Sequence, residues 1–426
     1  MLSLRLAVAA AILILALASR LSHKDVVWIE EAYPAAAAIQ MSDYGLAIYQ
    51  DFWFDKPPGA VYFYRLFGAQ TGVPLRLMGA LFVCLSALLA FLAARRIWDD
   101  EVAALWAAAF VALFLAFDHP AAVMAIAPDL LMVPVQLLAL YLAASRRYVW
   151  AGVACGVAFW INPKAVFAAL ALVVWSRSWV LAVSAAVAAL AMVAPYWSQG
   201  FYEQVIVWGR MYSADPPEGI NGWKQTAAWV WFHAALVVGA IVAREPRWLV
   251  PIAINAVAVV LGLRFFPRYY FQLLPLVAVV AARGVSLSKS WVRYVIVALL
   301  LIPVVRFGRV SPPANQLALY EDSVAAAAKL TDRQATLFVW GYRPDLLILT
   351  RMKLGAPYLD SQPVNGVLAD RHLVSSKPST EGRRSVIAAD YVADGLGLLN
   401  PALAFRQDGY EEFARTKFTV LYRRVK

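Results

Sequence analysis

About eleven apolar runs, separated by short loops, occupy the first 306 residues of this 426-residue chain. A helix needs roughly 20 apolar residues to cross the hydrocarbon core of a bilayer. The chain is 62% hydrophobic and only 15% charged, which is more apolar than a soluble core can absorb. We therefore predict a polytopic α-helical membrane protein with about 11 transmembrane helices. The runs cover residues 4–21, 75–94, 101–117, 129–145, 148–161, 164–175, 179–195, 225–243, 248–263, 269–283 and 291–306.

Basic residues indicate which loops are cytoplasmic. They cluster at 95–96, 146–147, 177, 244–247 and 283–293, and all these loops lie on one side if the chain starts inside. We expect the first run to be retained as a signal anchor. The net charge of +11 is then explained by topology and by anionic lipid headgroups, so the bilayer is a partner and nucleic acid is not.

The segment 148–175 is too long for one straight span and is interrupted by Asn162-Pro163. We predict two short helices that form a hairpin with Lys164 at its outer tip. A re-entrant pair would give the same topology.

Three longer segments then face outward: 22–74, 196–224 and everything after residue 306. We predict a transmembrane domain at 1–306, with 22–74 as its first outward loop, and a small extracytoplasmic α/β domain at 307–426. The predicted elements of this second domain are a helix at 317–330 and strands at 336–340, 385–389 and 418–422.

The loop from Asp51 to Pro58 concentrates charge at the membrane. It contains Asp51, Asp55 and Lys56, followed by two prolines that fix the backbone and restrict Lys56. Charges are costly at a bilayer, so a stiff charged loop indicates a site for a polar ligand. The alternative is a stiff turn whose lysine reaches into the headgroups.

Two acidic positions mark helix starts on the outer side. Glu30-Glu31 opens an alanine-rich segment, and Asp129 follows Pro128 at the head of a span. Carboxylates in a first helical turn complement the helix dipole, so helix capping is the alternative to a catalytic role.

Cations are unexpectedly frequent on the same side. Arg264 and Arg268 precede Tyr269 and Tyr270 in an outward loop, where a belt of anchoring residues is the alternative explanation. An anionic ligand, most naturally a lipid phosphate, would account for the whole set. The other members are Lys56, Arg76, Lys164, Arg210 and Lys224.

No soluble-enzyme motif competes with this interpretation. The chain has no Gly-rich phosphate loop and no His-Glu-x-x-His, and its four histidines and two cysteines lack metal-ligand spacing. We predict no metal ligands, and the sequence does not specify a divalent-metal requirement.

These residues resemble the polyprenyl-phosphate-sugar-dependent membrane glycosyltransferases of the GT-C fold, nearest the protein O-mannosyltransferase, aminoarabinose transferase and RgtA/B/C/D-like group. The resemblance covers nearly the whole chain. The matching motifs are Glu30-Glu31, Lys56-Pro57-Pro58, Arg76, Pro128-Asp129, Asn162-Pro163-Lys164, the stretch from Arg264 to Pro275, and Phe338-Val339-Trp340-Gly341. The chain departs from the family at Glu30, where aspartate is usual, and at Arg268, where histidine is frequent.

The resemblance implies transfer of a sugar from a polyprenyl-phosphate donor to a glycan, lipid or protein acceptor, with inversion. The active site would face outward from a prokaryotic cytoplasmic membrane. Glu30 or Glu31 would be the base, and Asp129 would orient the acceptor or share that role. The donor phosphate would be bound by Lys56, Arg264, Arg268, Arg210, Tyr269 and Tyr270, with Asp51, Asp55, Arg76, Lys164 and Lys224 in support.

Two other classes of protein remain open. A transporter or flippase of an anionic lipid-linked substrate would show charges at mid-bilayer and two related halves, and neither is visible. A non-catalytic binding protein whose C-terminal segment meets a partner is the third possibility.

Overall fold

The computed structural model describes residues 2–214, 219–307, 311–367 and 387–425. Its helices, in chain order, are α1 (Leu2–Leu21), α2 (Ile29–Asp43), α3 (Gly59–Phe67), α4 (Gly72–Trp98), α5 (Glu101–Ala116), α6 (Pro120–Val123), α7 (Pro128–Ala144), α8 (Tyr148–Ile161), α9 (Ala165–Ser176), α10 (Trp179–Val193), α11 (Gln199–Phe201), α12 (Trp208–Ala214), α13 (Gly222–Phe232), α14 (Ala234–Ala243), α15 (Leu249–Val260), α16 (Leu274–Leu287), α17 (Ser290–Leu299), α18 (Leu301–Phe307), α19 (Ala314–Lys329), α20 (Asp345–Thr350) and α21 (Gln362–Asn365). Its strands are β1 (Thr336–Trp340), β2 (Lys353–Leu354), β3 (Tyr391–Asp394), β4 (Tyr410–Arg415) and β5 (Val420–Arg424).

Each predicted apolar run coincides with a helix or with two consecutive helices. The run 269–283 is shifted: residues 267–272 form a 3₁₀ segment and α16 begins only at Leu274, because Pro275 favours the first turn of a helix. The predicted break at Asn162-Pro163 is confirmed, since α8 ends at Ile161 and α9 begins at Ala165.

The apolar helices make this an integral membrane protein. Among the described residues, three helices are long and apolar enough to cross a bilayer: Ser3–Leu21, Gly72–Trp98 and Trp179–Tyr196. Helices α13 and α14 form a fourth such segment, bent by 77°. The remaining apolar helices have 10–17 residues, so the total of about eleven spans stays a prediction.

The chain divides into two compact units. The first comprises Met1–Lys24, Val73–Pro195 and Gly219–Ser311, and the second comprises Asp25–Gly72, Tyr196–Glu218 and Pro312–Lys426. The second unit therefore joins the first outward loop to the C-terminal segment, whereas the sequence interpretation divided the chain at residue 306. That two-domain division stays a prediction.

In the first unit, small residues allow helices to approach closely. A β-carbon on Gly284 of α16 would collide with the backbone of Gly239 in α14, and one on Gly152 of α8 would collide with Ser184 of α10. Such contacts between small residues are the usual way in which helices associate inside membranes.

The second unit contains a five-stranded mixed sheet in the order β2-β1-β3-β5-β4. Strand β1 runs parallel to β2 and β3, while β5 is antiparallel to β3 and β4. The buried side chains of Phe338, Trp340, Val392 and Phe405 form its core. The predicted α/β character of the C-terminal segment is confirmed.

One predicted strand, at 385–389, is wrong within the described residues. Ile387–Ala389 are not in a strand, and β3 begins at Tyr391. The backbone N–H of Asp390 instead donates to the Thr336 hydroxyl (2.9 Å), so a side chain takes the place of a ladder partner just before β3. Residues 385 and 386 lie outside the described residues.

The segment 22–74 is tied to the C-terminal segment by polar contacts. The Gln40 amide nitrogen donates to the Met352 carbonyl (3.0 Å) and its oxygen accepts from Leu354 N–H (3.1 Å). Arg351 pairs with Asp43 at 2.7 Å. These bonds join the end of α2 to β2 and to the two residues before it.

Candidate functional site

Asp129 lies at the head of α7 in the first unit. Pro128 occupies the first helical position, and Asp129 follows in the first turn with 6% of its surface exposed. Its Oδ1 atom accepts a hydrogen bond from the Asn162 side-chain amide at 2.9 Å. Its Oδ2 atom lies 3.8 Å from Arg268 Nε. A buried carboxylate is therefore held between an amide and a guanidinium.

The tip between α8 and α9 supplies the next members of this group. Asn162 ends α8 in an extended conformation, and its side-chain oxygen accepts from the backbone N–H of Lys164 at 3.0 Å. The Lys164 ammonium lies over the Tyr269 ring, 2.8 Å from the ring centre. The Lys164 side chain interacts electrostatically with Asp129, Arg268 and Arg264. We call Asp129, Asn162, Lys164, Arg268 and Tyr269 the Asp129 cluster.

The Lys164 side chain lacks a hydrogen-bond acceptor: its buried Nζ atom finds no hydrogen-bond partner among the described residues. Buried polar groups are nearly always bonded, so each exception requires an explanation. An ammonium on an aromatic face beside two guanidiniums is suited to receive an anionic ligand.

Arg264 lies in a strained turn before this cluster. The residues on either side, Leu263 and Phe265, have left-handed backbones with φ of 51° and 46°, although neither is glycine. Arg264 itself is 2% exposed. Strain of this kind persists where the surroundings impose it, often at functional sites.

Tyr270 points to a different partner from its neighbour Tyr269. Its hydroxyl bonds to the Thr226 hydroxyl at 2.9 Å, and its ring stacks on Trp229 with centres 5.2 Å apart. The pair predicted from Tyr269-Tyr270 thus separates into one ring under Lys164 and one ring against α13.

Lys56 belongs to the second unit, in a loop fixed by more than its prolines. The Tyr49 hydroxyl donates to the Lys56 carbonyl at 2.6 Å. Gln204 accepts from Phe54 N–H at 2.8 Å and donates to the Tyr49 carbonyl at 3.1 Å. The sequence indicated the stiffness of this loop but not Gln204, which comes from a distant segment.

The Lys56 ammonium lies among acidic and aromatic groups. It is 3.2 Å from Asp55 and 5.3 Å from the centre of the Tyr33 ring, while 48% of its side chain is exposed. Burial raises the pKa of the Tyr33 hydroxyl well above its usual range, and the charges of Asp55 and Asp360 raise it further. Tyr33 therefore remains a hydrogen-bond donor at neutral pH.

Asp360 is a member of this group that the sequence did not indicate. It is 1% exposed, and burial raises its pKa to about 6. The hydrogen bonds from Gln362 and the Lys56 charge lower this pKa, while the Asp55 charge raises it. We call Tyr33, Asp55, Lys56 and Asp360 the Lys56 cluster. No local pattern links residues 55 and 360, so only a structure could bring them together.

Glu30 and Glu31 differ sharply in environment. Glu31 is completely buried, and its Oε1 atom accepts from the backbone N–H of Trp28 at 3.1 Å. This bond caps the start of α2. Glu30 is only partly buried. The helix-capping alternative therefore describes Glu31, whereas Glu30 stays partly exposed.

The other predicted site residues lie in simpler settings. Asp51 accepts from Ala47 N–H (2.7 Å) within a turn, and Arg210 and Lys224 are exposed on α12 and α13. Arg76 is fully buried and donates to the carbonyls of His23 (3.0 Å) and Met124 (2.8 Å). Arg76 thereby holds the segment that leads into α7.

Metal ligation has no evident place in the described part of the chain. No group of three or more histidine, cysteine, aspartate or glutamate residues within residues 2–214, 219–307, 311–367 and 387–425 could hold a metal ion.

The order of the helices and the sheet define the class of fold. The chain has the GT-C fold of membrane glycosyltransferases, as predicted from its sequence. No protein-family model matches the chain, and no curated protein matches its sequence.

Similar solved structures include two proteins. One is ArnT from Cupriavidus metallidurans bound to undecaprenyl phosphate, with a TM-score of 0.62 and 16% sequence identity. The superposition covers 98% of this chain and 97% of that one. Its apo form gives a TM-score of 0.55 at 16% identity over 99% and 98% of the two chains. The oligosaccharyltransferase of Archaeoglobus fulgidus, in complex with zinc and sulfate, gives 0.50 at 12% identity over 97% and 73%. At these identities the likeness establishes the fold.

Proposed function

We propose that this protein is a glycosyltransferase that moves a sugar from a polyprenyl-phosphate donor to a glycan, lipid or protein acceptor. The sequence resemblance and the fold shared with a protein crystallised with undecaprenyl phosphate support this proposal. The active site would face the extracytoplasmic side of a prokaryotic cytoplasmic membrane.

The observation that carries the proposal is the buried Lys164 amine, whose Nζ atom lies over the Tyr269 ring and has no hydrogen-bond acceptor among the described residues. The charges of Asp129, Arg268 and Arg264 interact with it. Burying unbalanced charge is costly in a membrane protein. An anionic group such as a phosphate would balance it.

The chemistry requires charge neutralisation more than a general acid. The bond between the anomeric carbon and the phosphate oxygen breaks, and its electron pair leaves on the phosphate. Within the first unit, Arg264 and Arg268 are suited to stabilise that negative charge, and within the second unit Lys56 and Arg210 are. The two clusters have residues suited to this task, each within its own unit.

The acceptor must lose a proton as it attacks. Glu30 is our candidate base, because Glu31 caps α2 while Glu30 stays partly exposed. Asp129 would orient the acceptor. A single displacement of this kind inverts the anomeric centre.

Comparison of cells with and without the gene tests the proposal. Mass spectrometry of glycolipids and glycoproteins should reveal one sugar modification that disappears on deletion. The wild-type gene should restore it, as should the control variant Lys329→Ala, whose lysine is exposed on α19. Lys164→Ala should not restore it. Unchanged profiles after deletion would contradict the proposal.

A further inference from the structure

The C-terminal segment reaches the Lys56 loop through its backbone. Trp53 N–H donates to the Pro357 carbonyl at 2.8 Å, and Trp53 forms a parallel bridge with Tyr358. Two residues further along each segment are Asp55 and Asp360. The bridge is an isolated one, and the charge of Asp55 acts on Asp360.

The surroundings of Asp360 leave its charge poorly compensated. Its two oxygens accept from the backbone N–H (2.9 Å) and the side-chain amide (2.8 Å) of Gln362. The titratable groups that interact with it are Tyr33 from α2, Asp55 and Lys56 from the loop, and Tyr342 after β1. The Lys56 ammonium pairs with Asp55 at 3.2 Å, and its charge also acts on Asp360.

We propose that an anionic headgroup binds at Lys56 together with one proton, which Asp360 takes up. The inference rests on the proposed function only in taking Lys56 as a phosphate ligand. A phosphate would add a third negative charge to a group that already carries one in excess. Asp55 is partly exposed to solvent, but Asp360 is 1% exposed, so protonation of Asp360 relieves the repulsion most effectively.

The resting state of Asp360 suits this role. Because burial already holds its pKa at about 6, the carboxylate is mostly ionised at pH 7 before a ligand binds. A nearby phosphate then raises the pKa further, and the proton is returned when the lipid leaves. The C-terminal segment would in this way contribute a positioning residue to the donor site.

Binding of a short-chain polyprenyl phosphate to the full-length protein in detergent tests the inference. Affinity is measured between pH 5.5 and 8 for wild type, Asp360→Asn, Lys56→Ala and the control Asp394→Asn. Asp394 is another fully buried aspartate of the sheet, bonded to three backbone N–H groups. Titration of the lipid phosphate itself contributes equally to every protein.

Wild type and Asp394→Asn should lose affinity as the pH rises above about 6, by up to roughly tenfold per pH unit for one proton. Asp360→Asn should lose this component and bind more tightly than wild type at pH 8. Calorimetry in buffers of different ionisation enthalpy should show that wild type takes up more protons on binding than Asp360→Asn does, by up to one proton. If Lys56 binds the phosphate as its dianion, the phosphate monoanion releases a proton on binding. This release is opposite in sign to the uptake by Asp360.

Two results separate the possible failures. If Lys56→Ala weakens binding but Asp360→Asn follows the wild-type pH dependence, or takes up as many protons as the wild type, the role of Asp360 is refuted. If Lys56→Ala binds as tightly as wild type, the assignment of Lys56 to the phosphate fails, and with it the basis of this inference.

Discussion

Asn162 donates its side-chain amide to Asp129 across 2.9 Å, and its side-chain oxygen accepts from Lys164 N–H. One residue at the end of α8 therefore holds both the carboxylate at the head of α7 and the backbone of the lysine beside it. The break made by Pro163 is what frees Asn162 to do so, because an interior helical position would direct its side chain elsewhere.

We expect Asn162→Ala to reduce turnover by about ten- to a hundredfold. A hydrogen bond to a charged group is worth roughly 1.5–3 kcal/mol, and each 1.4 kcal/mol is a factor of ten. Initial rates with a lipid-linked sugar measure the change. Asn255→Ala is the matched control, because the one bond of the buried Asn255 amide among the described residues is to Pro251 of its own helix. Equal losses in both variants would mean that the effect is one of folding.

The acidic pair at the start of α2 gives a second prediction. Glu30→Gln should lower turnover by about a hundredfold or more, since it removes the proposed base. Glu31→Gln should stay close to wild type, because glutamine can still accept from Trp28 N–H and cap the helix. The same rate assay distinguishes them. The reverse order of effects would assign the base to Glu31.

Lys56 gives a third prediction. Lys56→Ala should reduce turnover by roughly 10²–10³, the usual effect of removing one group that stabilises a developing negative charge. Lys56→Arg should lie in between, because it keeps the charge but not its position. Expression and thermal stability should match wild type, since the side chain is 48% exposed. Normal turnover by Lys56→Ala would remove this lysine from the mechanism.

The pH dependence of stability gives a fourth prediction. Asp360 has a pKa of about 6 in the fold against an ordinary 3.8, so the folded state favours its protonated form. Its contribution to stability is complete below pH 4 and is lost as the pH rises through about 6. The difference between the two pKa values corresponds to roughly 3 kcal/mol in the free energy of unfolding.

The Asp360→Asn variant should not lose stability in this way as the pH rises. Its thermal midpoint relative to wild type should therefore increase between pH 4 and pH 7, measured on the full-length protein in detergent. A difference that stays constant over this range would show that Asp360 does not titrate in the folded protein.

Much of the membrane part could be predicted because its signals are local. A helix in a bilayer satisfies its own backbone groups, so an apolar run predicts a helix almost wherever it occurs. The break at Asn162-Pro163 and the helical start at Pro128-Asp129 follow from proline chemistry in the same way. The prediction for 269–283 was wrong at its start, because apolar character does not distinguish a 3₁₀ turn from an α-helix.

The partners of the site residues were not predictable. Asp360 and Lys56 interact electrostatically although about 300 residues separate them in sequence. The bridge between Trp53 and Tyr358 brings their segments together, and such a bridge leaves no periodic signal in the sequence. Arg76 was grouped with the ligand-binding cations, yet its donors bond to the His23 and Met124 carbonyls. Sequence shows which residues carry charge, and the fold decides what each charge meets.

Reconstitution of the purified protein in liposomes with a radiolabelled polyprenyl-phosphate sugar and a mixture of acceptors tests the central claim most directly. We predict that the label leaves the lipid and appears on an acceptor, and that Lys164→Ala abolishes this transfer. Label that crosses the bilayer while still attached to the prenyl phosphate, or that does not move at all, would contradict the account.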